Sequence, residues 1–270
     1  MGKNETGEAM GARPGLTRRT LLAGAAGAMA AGMASSAFAQ AAAPAAPSAG
    51  PGSAAGLASN YVAKPLPEKI LNTDAKGIRR LTHTEHHKLY SGYVKKYNEI
   101  VGALAKLDAD PAAANQTYSP IRELKVELTF AIGGIKNHEL YFDTLGGDGI
   151  PKGDAADALA SAFGSIDKWR RDLKATGLAG RGWAWTAIDN DLGVFNFLGD
   201  AQNTYPVWNA VPFIGLDVYE HAYVMDFATD RGRYIDAFLQ SLDWDAVNAR
   251  FSAARAVPNA PKGTTPGATP

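Results

Sequence analysis

The sequence predicts an α+β fold: an N-terminal antiparallel α-hairpin followed by an α/β domain with a three-stranded antiparallel sheet. Three observations predict it. Two long stretches, 81–107 and 121–145, carry apolar residues at helical spacing and are joined by a loop around Asp108 to Pro111. Beyond them come short apolar runs separated by turn residues: Trp183 to Ile188, Leu192 to Leu198 and Val211 to Leu216. Between the two patterns sits a glycine-rich break, Gly146-Gly147-Asp148-Gly149, which is the expected domain boundary.

The first 66 residues read as a preface to the fold. Thr17-Arg18-Arg19-Thr20-Leu21-Leu22 resembles the twin-arginine export motif, and Ala37-Phe38-Ala39 offers an A-x-A cleavage site. Residues 1–39 are therefore expected to be a signal peptide handled by the twin-arginine export machinery, which makes the mature chain periplasmic. Its apolar core is short and poor in large side chains, so no stable membrane span is expected after processing. Residues 40–66 are dominated by Ala, Pro, Gly and Ser, too little apolar surface to offset chain entropy, and read as a disordered linker. The tail 258–270 reads the same way. That leaves 67–147 for the helical hairpin domain and 148–257 for the α/β domain.

Each element follows from its pattern. Tyr90, Tyr93, Val94, Tyr97, Val101 and Leu104 make one stripe of the first helix, and His86 lies on the same face. Leu124, Leu128, Ala131, Ile135, His138 and Phe142 line the second. Asp154 to Gly164 and Ser165 to Leu178 read as two further helices, with Asp154 and Ser165 as N-caps. A turn at Asp189-Asn190-Asp191 makes the first two strands a hairpin. The third strand ends at Asp217, and helices over 218–227 and 234–242 close the chain.

Composition narrows the chemistry. Lysine and arginine total 27 against 27 acidic residues, so nothing favours a nucleic-acid partner. There is no cysteine, which removes disulfides and thiolate metal sites. Only five histidines are available: His83, His86, His87, His138 and His221. Asp217 and His221 sit four apart at a strand-to-helix corner, where a carboxylate and an imidazole can share a transition metal. Alone, that spacing also fits an aspartate that caps a helix and orients a nearby histidine, the commoner arrangement.

Further residues turn the balance. Asp217-Val218-Tyr219-Glu220-His221-Ala222-Tyr223 resembles the D-x-W-E-H-A-Y-Y signature of the iron/manganese superoxide dismutases, with Tyr219 in place of Trp and Val224 in place of the second Tyr. The resemblance extends through Gly182-Trp183-Ala184-Trp185, Gln202 and Asp243-Trp244-Asp245, and covers about Leu81 to Phe251. His138, in Gly133-Gly134-Ile135-Lys136-Asn137-His138, matches the family's G-G-x-x-N-H, with Phe142 where Trp is usual.

The resemblance implies dismutation of superoxide to oxygen and hydrogen peroxide by redox cycling of one manganese or iron ion per subunit, manganese slightly preferred because Gln202 comes from the C-terminal domain. It implies His138, Asp217 and His221 as metal ligands. The first-helix ligand depends on register. Aligning on His86-His87 places Thr82 at the ligand position, whereas aligning on Tyr93-Val94 places Glu85 there. The variant H-x-x-L-Y-x-G-Y-V, which His86 to Val94 resembles, favours His86, with His83 and His87 as surface or supporting residues and either of them as the fallback ligand. Tyr93, with Tyr90 as competitor, would be the gateway tyrosine, and Gln202 would hydrogen-bond the metal-bound solvent. Trp183 and Trp185 would form an apolar wall, and Arg231 would draw the anion to the funnel. Glu220 and Tyr223 would lie at a homodimer interface. Two alternatives remain: a metal-binding homologue without activity, and a metalloenzyme with another oxidant substrate on the same fold.

Overall fold

The computed structural model describes residues 56–258. The expected signal peptide, most of the expected linker and all but Pro258 of the expected tail lie outside the described residues. Helix α1 spans Arg80–Leu104 and α2 spans Pro120–Asp143. They run antiparallel: His86 and Tyr90 near the start of α1 meet Phe142 near the end of α2, whereas Tyr93 meets Phe130. Buried residues fall at helical spacing along both, so each helix presents one apolar stripe to its partner.

After α2 come α3 (Gly153–Phe163) and α4 (Ile166–Ala179), then β1 (Trp183–Asp189), β2 (Gly193–Gly199) and β3 (Val211–Asp217). The sheet is antiparallel in the order β2-β1-β3, with Trp183 opposite both Gly199 and Asp217. Central β1 is buried at every residue, because helices cover both of its faces. The chain closes with α5 (Val224–Phe227), α6 (Arg231–Gln240) and α7 (Trp244–Arg255). Trp169, Trp183, Trp185, Trp244, Tyr141, Tyr234, Phe213 and Phe238 are fully buried and knit these layers together. Among the described residues, no helix is long and apolar enough to cross a membrane.

The structure departs from the sequence reading at several points. The stretch before Leu66, expected to be disordered linker, is hydrogen-bonded to α1 from Ala58 onward. Tyr97 donates to the Ala58 carbonyl, Asn98 exchanges two bonds with the Tyr61 backbone, and the Lys64 N–H donates to Tyr90. Tyr61 and Lys64 then reach Glu139 on α2. Polar side chains on α1 thus satisfy the backbone of an irregular segment, and Tyr61, Ala63 and Leu66 of that segment pack against the core.

The expected helix over 218–227 is broken into a 3-10 turn at Glu220–Ala222 and the single turn α5. Tyr219 is extended (ψ 150°), so helical bonding begins only after it. Helix α7 was not anticipated, although Asp243 caps it by accepting from the Asp245 and Ala246 N–H groups. Ser165 caps α4 as expected, but Asp154 does not cap α3. That helix starts one residue earlier, and Asn248 of α7 accepts from the Ala155 N–H instead. The Gly146–Gly149 break is packed rather than free: the Gly146 and Gly147 N–H groups both donate to the Ser241 carbonyl, and Gly149 donates to Leu242.

Candidate metal centre

Four side chains from four segments converge where the hairpin meets the sheet. Helix α1 supplies His86, α2 supplies His138, the end of β3 supplies Asp217, and the following 3-10 turn supplies His221. One ligand-capable atom from each lies within 4.8 Å of all the others. Asp217 Oδ2 is 3.0 Å from His86 Nε2, 3.1 Å from His221 Nε2 and 3.7 Å from His138 Nε2. The first three residues are fully buried, and the His221 side chain is 27% exposed.

The hydrogen bonds fix one tautomer. His138 Nδ1 is 2.6 Å from the Gly134 carbonyl, which can only accept, so Nδ1 carries the proton. Its Nε2 is then a bare lone pair, buried and without a hydrogen-bonding partner. An orphaned imidazole nitrogen beside a carboxylate and two more imidazoles is the arrangement a cation resolves. An ion bound at about 2.0–2.2 Å needs donors roughly 3–4.4 Å apart, close to the spacing here. Three imidazole nitrogens with one carboxylate oxygen suit a first-row transition ion such as iron, manganese or zinc.

Electrostatics agree. Burial pushes the His138 imidazole down to about 3 and lowers that of His86 as well, so both stay neutral and able to ligate. Burial works against the Asp217 anion, but His221 and His86 outweigh it and hold the carboxyl well below its usual range. His221 is the converse: burial opposes its charge, and the Asp217 carboxylate raises it.

The supporting geometry explains the paired glycines of α2. A Cβ on Gly133 would sit 1.9 Å from the Gln202 carbonyl oxygen, and one on Gly134 would sit 2.5 Å from the Tyr93 ring. Glycine at both positions lets two separate segments close onto α2. Asn137 Nδ2 donates to the same Gln202 carbonyl at 3.2 Å. The Gln202 amide is oriented too: Trp183 Nε1 donates to its Oε1 at 3.0 Å, which leaves Nε2 to donate toward Tyr93 Oη at 3.4 Å.

Comparison with known proteins is decisive about kinship. Residues 151–250 match the family model "Iron/manganese superoxide dismutases, C-terminal domain". The chain is 46% identical over 177 residues to "Superoxide dismutase [Fe]" of Aquifex aeolicus, covering 64% of this chain and 82% of that protein. It is 35% identical over 188 residues to "Superoxide dismutase [Mn]" of Listeria ivanovii, covering 67% and 90%. A third relative, "Superoxide dismutase [Fe]" of Cupriavidus metallidurans, is 32% identical over 200 residues, covering 72% and 98%. The chain belongs to the iron/manganese superoxide dismutase family.

Within this dismutase-family chain, the alternatives to His86 point elsewhere. Thr82 is buried but donates to Asp226 at 2.7 Å, and Glu85 pairs with Lys88 at 2.6 Å on the outer face. His87 donates to the Lys64 carbonyl. His83, expected as a surface or supporting residue, is fully buried one turn before His86, with Nε2 2.8 Å from Thr73 Oγ1. Tyr90, the competitor to Tyr93, donates to Glu139 rather than toward Gln202.

Trp183 stands edge-on to His138 with ring centroids 5.3 Å apart, and Trp185 stacks behind Trp183 at 6.3 Å. Glu220 points outward with a 69% exposed side chain. Tyr223 is buried and accepts from Arg231 Nε, while Arg231 Nη1 donates to the Gly180 carbonyl. Sequence reasoning missed the contacts of three residues. Tyr219 stacks on His221 at 5.3 Å and donates its backbone N–H to Asp217 Oδ1. Tyr141 lies 4.9 Å from the His86 ring. Tyr234 donates to the Asp217 carbonyl. Tyr219 had a visible signal, as the residue replacing the motif's Trp, and Tyr234 stands at the Tyr of the R-P-x-Y pattern that begins at Arg231.

Proposed function

We propose that this chain dismutates superoxide, two superoxide ions and two protons giving oxygen and hydrogen peroxide, with His86, His138, Asp217 and His221 holding one manganese or iron ion. The bare, buried His138 Nε2 facing Asp217 and two further imidazoles is the observation that carries this reading, and family membership supports it. A bound ion of either kind supplies a one-electron couple that can accept from one superoxide and donate to another.

The chain's own residues do the rest. Asp217 contributes a fixed negative charge that favours the higher oxidation state. Burial, followed by the Asp217 charge, raises the Tyr93 phenol, so its proton stays on Oη at the half-buried mouth of the site. With Oε1 held by Trp183, Gln202 presents N–H donors only toward the space beside Tyr93, an orientation suited to a developing anion. Trp183 and Trp185 exclude water behind His138.

Manganese is the preferred ion in this proposal, on the origin of Gln202 between β2 and β3, although the Aquifex relatives carry iron in their names. The outward Glu220 beside His221 supports a homodimer in which it braces the partner's site. A ligand imidazole is normally steadied by an acceptor on its second nitrogen. Arg231 and Tyr223 adjoin that surface. Export by the twin-arginine route to the periplasm rests on Arg18-Arg19 and Ala37-Phe38-Ala39, and retention of an Arg18→Lys/Arg19→Lys precursor in the cytoplasm is its test.

The central test is metal analysis of the purified chain with assays of superoxide loss and peroxide formation, after reloading with manganese or iron separately. Turnover that tracks the loaded ion is expected. Tight metal binding without turnover would make the chain a metal-binding homologue. Turnover of another oxidant alone would transfer the same site to different chemistry.

A further inference from the structure

Two buried phenols touch the centre from behind. Tyr234 of α6 and Tyr141 of α2 are both fully buried. Tyr234 Oη lies 2.7 Å from the Asp217 backbone carbonyl and 3.4 Å from Tyr141 Oη. A carbonyl has no proton to give, so the single Tyr234 hydrogen goes to Asp217. The Tyr234 oxygen is then left to accept, and Tyr141 O–H is the donor that faces it. The direction of the chain is therefore set: Tyr141 donates to Tyr234, which donates to Asp217.

The sheet explains why this carbonyl needs a donor. Val218 N–H donates to the Gly182 carbonyl, which makes Asp217 and Trp183 a non-hydrogen-bonded pair. The Asp217 carbonyl consequently turns away from β1. Because β3 is an edge strand, no further strand among the described residues waits on that side. Tyr234 takes the place of that missing neighbour. At its other end the chain reaches a second proposed ligand, since the Tyr141 ring packs against His86 at 4.9 Å. Stacking of Tyr234 on Tyr223 at 5.2 Å and of Tyr141 on Phe238 at 5.9 Å leaves neither ring free to turn away.

We propose that Tyr234, oriented by Tyr141, is a positioning residue for the metal centre: it fixes the backbone of Asp217 so that Oδ2 faces the three imidazoles. The inference rests on the ligand reading given above. Removing the Tyr234 hydroxyl frees the carbonyl and lets the carboxylate tilt, while the ring still fills its space.

The experiment compares wild type, Tyr234→Phe, Tyr141→Phe and the double variant, each loaded with manganese. Two readouts are taken: the rate of metal loss to a chelator, and the electron paramagnetic resonance spectrum of the bound ion. Tyr234→Phe is expected to lose metal about tenfold faster, in the range of supporting-residue effects, and to show an altered spectrum. Tyr141→Phe should change both less, and the double variant should match Tyr234→Phe, because Tyr141 acts through Tyr234. A merely structural role would lower stability and leave the spectrum of the folded, loaded fraction unchanged, which would overturn the proposal. Additive effects in the double variant would overturn it as well. Should Tyr234→Phe not fold, Tyr141→Phe alone decides, with an unchanged spectrum and rate counting against. A wild-type chain that takes up neither manganese nor iron brings down the ligand reading together with this inference. A wild type that loads normally beside an indistinguishable Tyr234→Phe brings down the inference alone.

Discussion

His83 and His86 lie one turn apart on α1, both with no exposed surface, yet their surroundings differ in kind. His86 Nε2 faces the Asp217 carboxylate at 3.0 Å and has imidazoles of His138 and His221 within 5 Å of its ring, by centroid. His83 Nε2 faces a hydroxyl, Thr73 Oγ1, which also contacts the Ile70 and Ile78 carbonyls. The hydroxyl's one proton goes to a carbonyl, so His83 donates to it and is spent on closing the turn before α1. Burial alone thus says little about whether a histidine ligates. What separates the two layers is the neighbour: an anion shared among several lone pairs in one, a neutral hydroxyl anchored to the backbone in the other.

Substitution should pull the two layers apart. The largest effect is expected for His86→Ala, with metal affinity falling more than about a hundredfold, beyond the range of supporting residues, and dismutase activity lost. Metal analysis after dialysis and a superoxide assay check this, and full metal retention would show that the register on α1 is wrong. His83→Ala should do the opposite. It should cost about 2 kcal/mol of folding stability through a cavity and the lost hydrogen bond to Thr73, read from urea unfolding. Its metal content should stay within about twofold of wild type.

A subtler contrast is available through pH. Burial, and then the nearby His86, hold the His83 imidazole down to about 3, against about 6.5 in an unfolded chain. The unfolded state therefore binds the proton first. Stability from this group is full above about pH 6.5 and is lost as pH falls toward 3, by up to about 1.4 kcal/mol per pH unit. In metal-free protein, His83→Gln should flatten the acid limb of a stability profile by one proton. An unchanged limb would mean that His83 is charged or exposed. The smallest effect is expected for Thr82→Ala, which removes one hydrogen bond to Asp226, about 1 kcal/mol, and leaves metal content alone.

The contrast also shows what a sequence can and cannot disclose. Helices α1 and α2, the β-hairpin and Asp217 at the end of β3 follow from periodicity and turn residues, because those signals are local. His138, Asp217 and His221 stand in quotable motifs. The spacing on α1 narrowed the fourth position to His86, with two imidazoles beside it as rivals, but could not see Thr73 waiting for His83. Helix α7 was overlooked although Asp243 announces it. The meeting of Tyr141 and Tyr234 was out of reach for a better reason: it depends on α2 and α6 converging behind an edge strand. The same holds for Asn248, whose bond to α3 bridges 93 residues. For the paired glycines, the motif was visible but its cause was not, since the atoms that forbid a Cβ belong to Gln202 and Tyr93.

The segment from Ala58 to Lys64 sets where this protein can be cut or joined. Two of its side chains complete the partner set of Glu139, the residue that follows His138: Tyr61 and Lys64 join Tyr90 around one half-buried carboxylate. Burial opposes that anion, and these donors more than compensate, keeping it below the usual carboxylate range. A protease or a gene truncation that removes residues ahead of Ala58 leaves that shell whole. One that removes Lys64 takes Tyr61 with it and leaves, among the described residues, Tyr90 as the one side chain still donating to a half-buried carboxylate next in sequence to His138. Fusion partners, affinity tags and trimmed versions should accordingly join the chain upstream of Ala58.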